Sequence, residues 1–232
     1  MIAREAMDLL RDDPAPALPV EYPESDGEPL GETDVHAQVT MALFHALLVR
    51  TKDRPDAYAA MDNFLYFEEG DPSACVSPDL YVVLGVEKKL RRTYKVWEEG
   101  RGPDLVIEVT SRKSRATDLG EKKGKYALLG VREYLLVDPL AEYLEPPLQG
   151  FRLGDQGYVR MAGEPRSELL GLILRWVDGS PRLVDAETGV PLPTPTEDHE
   201  RAEILAGHSE REKARADVAE AELARLRALL TR

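Results

Sequence analysis

Pro103-Asp104-Leu105-Val106-Ile107-Glu108-Val109-Thr110, then Asp118-Leu119-Gly120-Glu121-Lys122-Lys123-Gly124-Lys125-Tyr126-Ala127-Leu128-Leu129-Gly130, then Tyr134-Leu135-Leu136-Val137, reads as strand, helix and strand. In the first piece Leu105, Ile107 and Val109 alternate with Asp104, Val106, Glu108 and Thr110, so Glu108 projects with Thr110 on the side opposite the apolar trio. Asp118 and Glu121 have the spacing of a capping box, with Asp in place of Ser or Thr, which predicts a helix beginning near Asp118 after a loop over 111–117. Tyr126, Ala127 and Leu129 give that helix its buried face, and Gly130 is placed as the left-handed residue that ends it. Asp138-Pro139 stops the second strand. Strand, helix and strand in about thirty-five residues imply a crossover between neighbouring strands.

Upstream, residues 14–31 hold five prolines among acids and glycines and read as an extended lead-in. From Asp34 the apolar positions Val35, Val39, Leu43, Ala46 and Leu47 recur at helical spacing, predicting a helix over about 34–51 capped by Thr33 or Asp34. His36 and His45 lie on or beside it and read as partly exposed structural histidines. Short β-like pieces follow at 57–60, 64–67, 74–76 and 80–84, expected to form one antiparallel run. Residues 86–99 are a charged excursion whose Tyr94 and Trp97 pack over a sheet edge rather than stack on bases. Beyond the second core strand, 143–148, 151–153, 158–161 and 169–176 read as a β-rich finish with Gly154-Asp155-Gln156-Gly157 as a hairpin turn. The organisation expected is a lead-in over 1–33, one α/β (α+β) domain over 34–185, a proline-punctuated linker over 186–196, and a charged amphipathic helix over 197–232. In that helix Ala216, Ala219, Leu223, Leu226 and Leu230 form the better half of a heptad seam, which suits a two-chain coiled coil and hence a homodimer, or else an exposed single helix.

Composition narrows the function. The 232 residues carry a formal charge of −13, which argues against non-specific coating of nucleic acid. The charge is uneven: residues 1–35 hold ten acids and two bases, whereas residues 86–132 hold thirteen bases and seven acids, a local cationic surplus around the quoted stretch. The single cysteine, Cys75, can form no intramolecular disulfide. No cationic segment followed by an apolar run opens the chain, and no window approaches the roughly 18–20 apolar residues of a membrane span. The expectation is a cytoplasmic protein without a membrane partner.

Two short segments put acids at strand ends: Ser77-Pro78-Asp79-Leu80-Tyr81-Val82-Val83 and the Asp104–Thr110 strand. A carboxylate on each of two neighbouring strands can hold a hard divalent cation between them. Asp104 shares a face with Glu108 but lies four residues earlier, on the order of 13 Å along the strand, too far to share an ion. Asp79 on a neighbouring strand can approach Glu108 directly, so Asp79 and Glu108 are the candidate metal ligands and Asp104 has a structural or outer role. Lys122 is one helical turn from Asp118 and Tyr126 one turn further, so the three share a face. If that helix returns to the strand ends, Lys122 can orient water or neutralise a phosphoryl group. The chemistry indicated is phosphodiester hydrolysis assisted by Mg²⁺ or Mn²⁺.

The pattern Pro78-Asp79, Glu108-Val109-Thr110, Asp118, Lys122, Tyr126 and Gly130-Val131-Arg132-Glu133-Tyr134 through Val137-Asp138-Pro139 resembles the bacterial Uma-type restriction endonuclease family of the PD-(D/E)XK nuclease superfamily. The likeness runs over roughly residues 18–180 and is most specific in its second half. It implies a mixed sheet flanked by helices, Asp79 and Glu108 as metal ligands, and DNA as substrate. The superfamily pattern places a lysine two residues after the strand acid, where this chain has Thr110. The resemblance implies that the following helix supplies the lysine instead, at Lys122, with Lys123 as the substitute. Two other readings stand beside a metal-dependent endonuclease: a catalytically inactive nuclease-fold module used for self-association or partner binding, and a hydrolase of a smaller phosphoester.

Overall fold

The computed structural model describes residues 20–25 and 33–230. In chain order the elements are α1 (Asp34–Arg50), β1 (Ala57–Met61), β2 (Leu65–Tyr66), β3 (Cys75–Val76), β4 (Leu80–Leu84), β5 (Tyr94–Lys95), α2 (Val96–Glu99), β6 (Leu105–Val109), α3 (Arg115–Leu119), α4 (Glu121–Leu128), β7 (Glu133–Val137), β8 (Leu148–Gly154), β9 (Gly157–Arg160), β10 (Arg166–Ser167), β11 (Leu172–Val177), β12 (Ser180–Asp185) and α5 (Pro195–Leu230). The central sheet has the order β1-β4-β6-β7-β8-β9. Only β6 and β7 in it run parallel, joined through α3 and α4, and every other neighbouring pair is antiparallel. A small sheet β3-β2-β5 and an antiparallel sheet β10-β11-β12 accompany it.

Period-two alternation along β4, β6 and β7 sends side chains into two separate cores. Leu80, Val82, Leu105, Ile107, Val109, Leu135 and Val137 face α1 and the β10–β12 sheet, meeting Leu43, Leu47, Leu172, Leu174 and Leu183. Tyr81, Val83, Val106, Tyr134 and Leu136 face the other way, onto Tyr58, Tyr94 and Tyr126. Each fully buried aliphatic side chain contributes about 1.5–3 kcal/mol relative to exposure, and both faces of the central strands collect it. That is why β6 and β7 are buried at every position.

Helix α1 begins as its cap predicts: Thr33 Oγ1 accepts a hydrogen bond from the His36 N–H at 3.3 Å. Gly130 has φ of +73°, the left-handed conformation that releases the chain from α4 into β7. Of the lead-in expected over 1–33, residues 1–19 and 26–32 lie outside the described residues. Tyr22 packs on Tyr66 and Trp97 with ring centroids 5.1 and 5.2 Å apart, so residues 20–25 run along β2 and α2, and Trp97 is used in packing.

Several expectations need correction. The pieces at 57–84 do not form one antiparallel run: β1 and β4 pair in the central sheet, while β2 pairs antiparallel with β3 and parallel with β5. The segment 143–148 is not a strand. Asp138, buried, accepts hydrogen bonds from the N–H groups of Leu140, Tyr143 and Leu144 and curls 139–144 into a loop before β8. The helix after β6 begins earlier than Asp118 and is broken at Gly120, so Asp118 lies within α3 rather than at a cap.

The C-terminal helix starts at Pro195 with a reciprocal capping box, in which the Thr194 N–H donates to Glu197 at 2.7 Å and the Glu197 N–H to Thr194 Oγ1 at 3.3 Å. Its first turn is tied to the body by Arg182–Glu197 at 2.7 Å and His45–Asp198 at 2.8 Å. At 1.5 Å per residue its 36 residues extend about 54 Å. Ile204, Leu205 and Val218 on it are exposed, and the seam side chains Leu223, Leu226 and Leu230 lie outside what is described. No helix among the described residues is long and apolar enough to cross a membrane.

Candidate active site

The β4–β6 register pairs Leu80 with Ile107, which places Asp79, just before β4, opposite Glu108. The Asp79 N–H lies 3.4 Å from Glu108 Oε2, and Asp79 Oδ2 accepts from the Val109 N–H at 2.6 Å. The crossover through α3 and α4 folds back over the same strand end. Lys122 Nζ reaches Glu108 Oε2 at 2.9 Å and lies 3.5 Å from Asp118 Oδ1, while the Tyr126 hydroxyl donates to Glu108 Oε1. Asp79, Glu108 and Lys122 are therefore gathered at one point. Lys123 is turned away, its Nζ 3.5 Å from the centre of the Phe151 ring. Asp104 is elsewhere, holding Arg101 at 2.9 Å, Arg132 at 2.6 Å and the Leu84 N–H at 2.6 Å.

Two residues join the cluster that the sequence reading assigned elsewhere. His36 on α1 donates from Nε2 to the Val109 carbonyl at 2.7 Å and stands 3.8 Å from Asp79 Oδ2. Nothing in an amphipathic helix marks which histidine reaches a strand end 73 residues away. Asp118 is 1% exposed and neither of its carboxylate oxygens has a hydrogen-bond partner among the described residues. A capping aspartate would be solvated. The signal that separates the two readings was the face it shares with Lys122.

Burial pushes the Glu108 carboxyl well above the usual range, and the negative charges of Asp79 and Asp118 push it further against the opposing Lys122. Burial likewise raises Asp118, with Lys122 opposing. Burial would raise Asp79 too, but the neighbouring His36, Lys122 and the Val109 N–H outweigh that and hold it low. Lys122 is buried, which disfavours its charge, yet Glu108, Asp79 and Asp118 together keep it firmly protonated. Three acids face one ammonium. An arrangement of this kind can accept more positive charge, polarise water, or hold a phosphoryl group against the lysine.

The site is thus a mixed sheet with carboxylates at adjoining strand ends and a lysine delivered by the crossover helix. The chain matches the family described as "Uma2: Putative restriction endonuclease" over residues 9–178, and it belongs to that family. Among solved structures it is similar to a "putative nuclease belonging to DUF820 from Anabaena variabilis", 18% identical over 79% of this chain and 88% of that one, with a TM-score of 0.41. No curated protein matches.

The donor set fits a divalent cation. It is all oxygen, the acids outnumber the local cation, and Asp118 has oxygens without hydrogen bonds beside them. Among the described residues no three His, Cys, Asp or Glu side chains converge on one ion.

Proposed function

We propose that this protein is a metal-dependent endonuclease that hydrolyses DNA phosphodiester bonds, with Asp79 and Glu108 holding Mg²⁺ or Mn²⁺ and Lys122 beside the scissile phosphate. The observation that carries the reading is the fully buried Glu108 carboxylate, flanked by a second carboxylate and touched by a lysine from the crossover helix. Burying an acid among acids is costly, and a fold with no use for the charge would lose little by replacing it. Membership of a family described by endonuclease activity supports DNA as the substrate.

Each side chain then has a task. A divalent cation at Asp79 and Glu108 would supply a lowered water pKa and neutralise charge on the phosphoryl oxygens. Tyr126 fixes one Glu108 oxygen and so sets which way the carboxylate faces. His36 and the Val109 N–H orient Asp79 in the same manner. Lys122, held protonated and 20% exposed, keeps a positive charge where charge builds on the phosphoryl oxygens as water attacks and the sugar alkoxide leaves. The self-association expected of the C-terminal helix adds a second element: a homodimer through α5 brings two such sites into one assembly. Cys75, free in the structure, suits the reducing cytoplasm.

One observation favours the inactive-module reading: both Glu108 oxygens are already engaged, by Lys122 and Tyr126, so the cluster is satisfied without a cation. Cleavage of supercoiled, linear and single-stranded DNA with Mg²⁺ or Mn²⁺, comparing the protein with its Glu108→Ala variant purified identically, separates the two. The endonuclease reading expects metal-dependent cleavage that disappears in the variant. Equal cleavage by both proteins, or none by either, overturns it.

A further inference from the structure

At the carboxyl ends of the parallel pair β6 and β7 lies a cavity of about 250 Å³ that adjoins the carboxylate cluster through His36. Its walls include Thr110, Arg112 and Lys113 from the segment after β6 and Leu140 and Tyr143 from the loop after β7, with His36 at its inner edge. In open α/β sheets the crevice outside the carboxyl ends of the strands is where ligands bind, because side chains of successive loops converge there. Here both loops are held. Buried Asp138 ties down one through the Leu140, Tyr143 and Leu144 N–H groups, and the Ser111 and Ser114 hydroxyls each accept the other residue's N–H at 3.2 and 3.0 Å in the second.

The lining has three chemistries. Thr110, 1% exposed with a hydroxyl that has no hydrogen-bond partner among the described residues, and the half-buried Ser111 give the cavity a polar edge. Arg112 and Lys113 are exposed, and no salt bridge from either to a carboxylate is formed among the described residues, in a chain whose net charge is −13. Leu140, 42% exposed, and the half-buried Tyr143 offer a flat apolar wall. An anion, a planar ring and a hydrogen-bonding edge together describe a nucleotide. The volume is below the roughly 300–1,000 Å³ of pockets for drug-sized ligands, which suits one base rather than an oligomer. Position links it to the carboxylates, since Thr110 is two residues beyond Glu108 on the same strand and His36 stands 3.8 Å from Asp79.

We propose that this cavity receives one unstacked nucleotide of the substrate strand, its base against Tyr143 and Leu140 and its phosphate on Arg112 and Lys113, so that single-stranded or locally unpaired DNA is bound in preference to intact duplex. The substrate role rests on the nuclease reading above; the binding of a nucleotide does not. A base inside a duplex cannot enter such a recess without leaving the stack, which costs a few kcal/mol and is least costly where pairing is already absent.

The test uses the full-length protein and 2-aminopurine deoxyriboside 5′-monophosphate, a fluorescent nucleotide with no phosphodiester to cut. Saturable quenching is expected. Tyr143→Ala should weaken it about tenfold, as loss of one base–aromatic stack does. The double variant Arg112→Ala/Lys113→Ala should weaken binding of the monophosphate while leaving that of the unphosphorylated nucleoside unchanged. A single strand should compete with the probe and the matching duplex should not. All three positions are at least partly exposed, and thermal melts confirm that the variants fold. Quenching that ignores both variants, no quenching at all, or equal competition by duplex and single strand overturns the inference. If Glu108→Ala cleaves like the parent protein the nuclease reading fails, and this titration still judges the cavity. If cleavage depends on Glu108 and the titration ignores the variants, only the cavity's role fails.

Discussion

In the proposed mechanism Lys122 and a divalent cation would want the same Glu108 oxygen. The ammonium is 2.9 Å from Oε2, so it would act as a built-in competitor as well as a source of positive charge for the phosphate. Lys122→Met should therefore bind Mn²⁺ more tightly by calorimetry while cleaving about a hundredfold more slowly or worse, the scale of losing one preorganised charge at a transition state. Without metal the variant should melt lower, because an unpaired acid is left in the core, and Mn²⁺ should restore much of the loss. A variant that loses affinity and cleavage together would make Lys122 merely structural. Protons compete for the site as well. Glu108 is raised by burial first and by its acidic neighbours next, so the folded protein holds that proton above the pH at which an exposed glutamate releases it. Mg²⁺ affinity should rise with pH, and on acidification it should already fall while ordinary carboxylates are still ionised; affinity flat from about pH 5 to about pH 8 would contradict a raised Glu108. Asp79, Glu108 and Lys122 were all legible as candidates because strand alternation and helical spacing fix which side chains share a face. His36 was not, since its partner carbonyl belongs to a strand 73 residues away. Asp118 was visible but misread: Asp-x-x-Glu is a capping signal in solvent, and only the break at Gly120 and the fold of α3 onto β6 bury it.

Elements were legible in proportion to their length and periodicity. The helix expected at 34–51 spans Asp34–Arg50, and the strand expected at 80–84 is Leu80–Leu84. Two-residue strands were another matter. Leu65–Tyr66 and Cys75–Val76 have β-formers but no room for alternation, and their partner Tyr94–Lys95 lies within a charged excursion, so pairing is set by tertiary packing of Tyr66 and Tyr94 rather than by local pattern. The loop at 139–144 was missed for a similar reason. Tyr143 and Leu144 look like strand residues, and the three hydrogen bonds Asp138 accepts decide otherwise. At the junction with α5, Glu197 is held low by the Arg182 hydrogen bond and then by the Thr194 N–H. A lowered carboxyl contributes its stability above its unfolded value of 4.5 and loses it as pH falls through the folded value. Arg182→Ala at neutral pH, or acidification of the parent protein below that range, should thus free the first turn of α5. Faster limited proteolysis near residue 195 with little change in the main thermal transition is the expected result; an unchanged cleavage rate would mean that the capping box and His45 hold the helix alone.

At the scale of the whole molecule, a sheet with cores on both faces carries a helix of about 54 Å whose first turn is tied to the body by Arg182–Glu197 and His45–Asp198. The length of α5 exceeds what one domain of this size needs, and Ile204, Leu205 and Val218 remain exposed along it. Deleting residues 195–232 should leave the melting temperature within a few degrees, since little of the core is lost, and should convert a dimer to a monomer by sedimentation velocity. A full-length chain that already sediments as a monomer at tens of micromolar contradicts the coiled-coil dimer. Charge is partitioned along the chain as well: the cations concentrate between residues 86 and 132, while the acids concentrate near the start of the chain.

The buried carboxylate of Asp118 separates two kinds of fitness. It is raised, its oxygens make no hydrogen bond among the described residues, and its ammonium neighbour Lys122, 3.5 Å away, is already held by Glu108, so Asp118→Asn should make the folded chain harder to melt. Directed evolution for heat tolerance alone should discard that charge early. Under selection for phosphodiester cleavage the position should hold, because the acid helps keep Lys122 protonated, and the sequences that survive the two screens would show how much stability the fold gives up to keep its chemistry.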